Sequence, residues 1–162
     1  MKKLHVDYVR SIIFGFEDSL VSTTGVIAGV STGTHDPKVI LLAASVTIVV
    51  EALSMGAGQF LSERSVHQME KTHTDNLVLG GGLMFGSYAI AGIIPLLPVI
   101  LFSFPVSVFV SIALAFLSLF ILGYVKGKIV RVRPLRSGIE ILAIGGIATL
   151  LGVFAGYFFR TS

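Results

Sequence analysis

Residues 11–30 are long enough to cross a bilayer, yet Glu17 and Asp18 stand side by side within this otherwise apolar run. A charge near the middle of a spanning helix costs a few kcal/mol at least, so it has no place on a lipid-facing surface. The segment therefore constrains the whole chain. Other helices must shelter the carboxylates, and a counter-charge must be able to reach them. No other apolar segment offers a buried Lys or Arg for that purpose. A cation or a proton is the expected counter-charge.

The remainder of the chain supplies the shelter. Of its 162 residues 54% are hydrophobic and 13% charged, and the mean hydropathy is +0.91. That composition belongs to an integral membrane protein rather than a soluble domain. About 20 largely apolar residues are needed per crossing. Five spans are expected on that basis, at residues 9–32, 38–62, 77–102, 105–124 and 139–159. The predicted fold is an all-α bundle of five transmembrane helices in one domain, 1–162. Thr34, His35, Asp36 and Pro37 make a tight first connection, with Pro37 suited to begin the next helix. Pro95 and Pro98 are expected to kink or end the third helix. The basic start at Lys2 and Lys3 is superficially signal-like, but the run behind it is too long and too polar, so it reads as a retained span.

Orientation follows from the basic residues. With a cytoplasmic N-terminus, Lys2, Lys3, Arg10, Arg64, Lys71, Lys126, Lys128, Arg131, Arg133 and Arg136 lie inside. Only Lys38 and Arg160 then lie outside, along with the C-terminus. These positions make topology a better account of the net charge of +3 than nucleic-acid binding. Glycines recur every fourth residue at Gly25, Gly29 and Gly33, at Gly82 and Gly86, and at Gly152 and Gly156. Such spacing lets helix backbones approach closely, and packing within one chain is its ordinary use.

Three side chains converge in depth. At about 1.5 Å per residue, Asp18 lies roughly 13 Å from the inner end of its span. Met55 and Glu51 lie roughly 10 and 16 Å from the inner end of theirs. Ser22 shares a face with Asp18, and Met55 shares one with Glu51. Carboxylates bind hard divalent cations, while a thioether adds preference for softer transition metals over Mg2+ or Ca2+. With no Cys in the chain, thiolate ligands and disulfides are excluded. A second group, Glu63, His67 and Glu70, falls on one face where the second span would continue into the cytoplasm. It could collect divalent ions at the mouth, although a solvated helix end of mixed charge explains it more plainly.

At these residues the chain resembles the vacuolar iron transporter family of Fe2+/Mn2+ transporters. The resemblance is carried by Gly15-Phe16-Glu17-Asp18-Ser19-Leu20-Val21-Ser22 and by Glu51-Ala52-Leu53-Ser54-Met55-Gly56-Ala57-Gly58-Gln59-Phe60-Leu61-Ser62. It implies a homodimer whose metal path is lined mainly by the first helices, and exchange of Fe2+ or Mn2+ for protons. It also implies metal roles for Asp18 and Met55. Well-known members insert a long cytoplasmic helical domain after the second span, where this chain has only residues 63–76.

The expected function is export of Fe2+ or Mn2+ from the cytoplasm, with the metal as substrate and no resident cofactor. Asp18 and Glu51 would bind the ion or exchange protons, Met55 would tune selectivity, and Glu17 would attract cations at the inner approach. A prokaryotic cell membrane is the expected host. The alternative is a non-transporting assembly or regulatory protein whose Gly-rich helices mediate association. An enzyme is disfavoured, because the spans hold no nucleophile–base pair, no His and no phosphate-binding Gly–Lys motif.

Overall fold

The computed structural model describes residues 6–69 and 76–160. They form five helices: α1 (Val6–Gly33), α2 (Pro37–Met69), α3 (Leu77–Leu101), α4 (Val106–Val130) and α5 (Pro134–Phe158). All five are long and apolar enough to cross a membrane, and the described residues include no strand. At 25 to 33 residues each, the helices measure about 37 to 50 Å, more than a 30 Å hydrocarbon core requires.

The extra length lies mostly at the end of the bundle where Arg10, Arg64, Lys126, Lys128, Arg131, Arg133 and Arg136 gather. There α2 continues past its expected end to Met69, α4 continues to Val130, and α5 begins already at Pro134. Long basic side chains explain the difference, since they hold their charges in water while their stems cover apolar surface. The turn between α4 and α5 is closed by Arg131 in the left-handed conformation, with φ 61°, and by the Val132 amide donating to the Gly127 carbonyl. At the opposite end Asp36 accepts from the Lys38 amide at 2.9 Å, and Pro37 starts α2 as expected.

Neither proline ends α3, which continues through Pro95 and Pro98 to Leu101. Membrane helices tolerate proline where neighbouring helices and hydroxyl side chains absorb the disturbed backbone polarity. Here Pro95 is buried, and the Ser111 hydroxyl of α4 donates to its carbonyl.

α1 lies at the centre. It touches each of the other four helices, while α2, α3, α4 and α5 follow one another around it. α2 and α5 do not meet, so the ring is an arc with one open side. The arc closes on α1 through small side chains. On α1, a Cβ placed on Gly29 would lie 2.6 Å from the Gly152 carbonyl oxygen of α5. Gly33 faces Gly156 in the same parallel register. A Cβ on Gly81 of α3 would lie 2.8 Å from the Gly56 carbonyl oxygen of α2. The expected use of these glycines within one chain therefore holds for α1 and α5. Gly82 and Gly86 differ, since a side chain there would meet nothing. Two apolar clusters fill the interior, one around Ile27, Ile40 and Val108, the other around Leu20, Leu119 and Ile141.

Candidate metal path

Counting from the less basic end, Asp18 lies about 22 Å down α1 and Glu51 about 21 Å down α2, so the two carboxylates share a level. They are close enough to feel each other's charge. Both are half-buried, as is Met55, which lies one turn nearer the basic end than Glu51. Neither hydrogen bonds nor ion pairs engage the Asp18 carboxylate among the described residues.

Glu51 is held from across the bundle. The fully buried Tyr88 of α3 donates its hydroxyl proton to the Glu51 carboxylate. With that proton committed, Ser22 donates in turn to the Tyr88 oxygen at 2.6 Å. Ser19 fixes the same stretch of α3 by donating to the Tyr88 carbonyl at 2.7 Å. A polar chain thus runs Ser22–Tyr88–Glu51, with Asp18 one turn from its first member. Tyr88 was not anticipated as part of the site. Its signal was available: a buried tyrosine hydroxyl in an apolar span must find a partner.

Glu17 faces a different neighbour. Lys126 of α4 brings its Nζ to 3.7 Å from the Glu17 carboxylate, and the two side chains are 38% and 20% exposed. Lys126 is not the buried cation whose absence the sequence suggests, but it does give Glu17 a counter-charge from another helix. It can do so because α4 continues past residue 124 to Val130.

The second predicted group resolves differently. Glu63 is only 7% exposed and accepts from Arg10 at 3.0 Å and from Gln59 at 3.0 Å. It ties the basic ends of α1 and α2 together rather than standing at a solvated helix end. His67 is half-buried, with its Nδ1 3.0 Å from the Glu63 carbonyl oxygen. Glu70 lies outside the described residues. Among the described residues no three His, Asp or Glu side chains gather closely enough to hold a metal ion.

Two grooves follow the outward face of α1. One, of about 540 Å³, reaches from Val6 and Arg10 to Glu17, bordered by Gln59 of α2 and Lys126 of α4. The other, of about 750 Å³, runs from Val21 and Ser22 to Gly33 between α2 and α5. Asp18 occupies the stretch of helix between them. A half-buried carboxylate thus stands between the two grooves of this open face, lining neither of them. In a bilayer that face needs a polar or protein covering.

Comparison with known proteins agrees with this architecture. The VIT family model matches residues 9–78 and 67–157. A protein of Methanocaldococcus jannaschii with no described role is 28% identical over 90% of this chain and 86% of its own. Vacuolar iron transporter 1 of Arabidopsis thaliana is 23% identical over 88% of this chain and 82% of its own. VIT-like transporter 1b of Glycine max is 26% identical over 87% of this chain and 71% of its own. The Arabidopsis alignment spans 206 positions against a chain of 162, so that relative holds sequence with no counterpart here. With a match that reaches into all five helices, the chain belongs to the VIT family.

Proposed function

We propose that the protein carries Fe2+ or Mn2+ out of the cytoplasm in exchange for protons, as a homodimer closed over the open side of α1. The observation that carries this reading is the Asp18 carboxylate. It is half-buried at mid-helix, beside Glu51, with no cationic partner of its own among the described residues. Such a charge is retained in a membrane where an ion or proton passes. Iron is named in the Arabidopsis relative, and Met55 adds a soft donor suited to Fe2+ or Mn2+ rather than Mg2+. The basic end faces the cytoplasm by the positive-inside rule, and the prokaryotic cell membrane is the proposed location. A second copy would supply the ligands that one chain does not assemble.

Metal flux into proteoliposomes tests the reading, comparing Fe2+, Mn2+, Zn2+ and Mg2+ under an imposed pH gradient. Fe2+ or Mn2+ should move fastest and respond to the gradient, while Mg2+ should stay at background. Correctly inserted protein that moves none of the four would favour the assembly-partner role instead. The dimer has its own test, made clean by the absence of native cysteine. Val26 lies in the groove between α2 and α5. Val26→Cys should therefore cross-link into a covalent dimer on mild oxidation, and a purely monomeric product would rule out closure over α1.

A further inference from the structure

We infer that Lys126 is a tethered counter-ion that occupies Glu17 at the inner groove, and that a divalent cation must displace it to approach Asp18. The inference rests on the transport reading and adds a control to it.

The geometry has three parts. First, α4 extends far enough to place the Lys126 ammonium 3.7 Å from Glu17, across the groove that leads along α1. Second, the groove's other charged group is Arg10, whose guanidinium is turned to Glu63 at 3.0 Å and to Asp7 at 3.5 Å. With Lys126 in place Glu17 is cancelled, and a dication entering the groove meets no unpaired carboxylate along its lining. Third, Lys126 also borders a separate cavity of about 500 Å³ with Glu140, Arg133, Arg136 and Ser137. Its flexible four-carbon stem can withdraw in that direction without leaving the protein. Glu140 lines that cavity as well, where it accepts from Arg136 at 3.0 Å and would be shared with Lys126.

A tethered group competes at an effective concentration of order millimolar, however little metal is present. Lys126 would thus set a threshold. Scarce metal leaves Glu17 neutralised, and abundant metal takes the carboxylate over. A doubly charged ion gains twice the Coulomb attraction of an ammonium at the same distance, which works against its larger dehydration cost.

The test is Mn2+ binding to the purified full chain in nanodiscs, followed by loss of the free-ion electron paramagnetic resonance signal. Lys126→Gln should tighten binding about tenfold, because it both frees Glu17 and removes a like charge. Lys126→Arg keeps the charge and should restore wild-type affinity. The Glu17→Gln/Lys126→Gln double variant should bind more weakly than Lys126→Gln alone, by most of that tenfold. Should Lys126→Gln fail to accumulate folded, Lys126→Met gives the same readout with an apolar stem. Unchanged affinity in Lys126→Gln, or a gain that persists in full without Glu17, overturns the inference. Mn2+ binding that needs Asp18 but ignores Lys126 leaves the transport reading standing and removes only the counter-ion. Absence of Mn2+ binding in every variant removes both.

Discussion

Asp18→Ala should reduce metal flux by at least about a hundredfold while the bundle stays folded. Changes to groups that merely orient a metal ligand cost about 10- to 100-fold, so loss of the proposed carboxylate ligand should cost no less. The bundle should survive because Asp18 makes no hydrogen bond or ion pair among the described residues. Removing it also removes a charge that an apolar environment disfavours. Tyr88→Phe provides the graded comparison. It leaves both carboxylates but frees Glu51 from its buried donor, and flux should fall by about tenfold. Flux assays on reconstituted variants, normalised to inserted protein, decide the matter. Wild-type rates in Asp18→Ala would mean that the ion does not pass Asp18.

Gly29→Val should instead damage the fold, lowering stability by about 3 kcal/mol. The Cβ alone would lie 2.6 Å from the Gly152 carbonyl oxygen, an atom that no rotamer change can move. α1 and α5 would have to separate along a seam that also includes Gly33 and Gly156. Close backbone approach is a principal source of helix association in lipid, where the hydrophobic effect no longer drives it. Gly82→Val is the control. Nothing lies within 4 Å of a Cβ there, and the change should stay within about 0.5 kcal/mol. Denaturant titration in mixed micelles would separate the two, and equal stability would show that the α1–α5 seam is not tight.

Helix number and path were readable because the bilayer imposes a length that few other structures demand. The ends were less readable. Lys126 and Lys128 look like a break in an apolar run, yet a helix that carries its cations at the water boundary does not stop for them. That one boundary hid the partner of Glu17. Asp18, Glu51 and Met55 could be placed at similar depth by counting turns along α1 and α2. Tyr88 could not, since it joins them from α3, and no count along two helices reveals which residue a third one delivers. Glu63 shows the converse. Its spacing from His67 suggested a shared solvent-facing role, whereas packing with Arg10 of α1 placed it inside. Which glycines close a seam was equally invisible, because Gly82 and Gly152 sit in similar four-residue patterns and differ only in what faces them.

The position of α1 has a consequence for biogenesis. The helix that all others surround is the first of the five to leave the ribosome, and it is also the least apolar of them. During synthesis it must wait in or beside the translocon with Glu17 and Asp18 unsheltered until α2 to α5 arrive. The order of the chain makes assembly of the bundle, rather than insertion of α1, the step at which the two carboxylates gain their shelter.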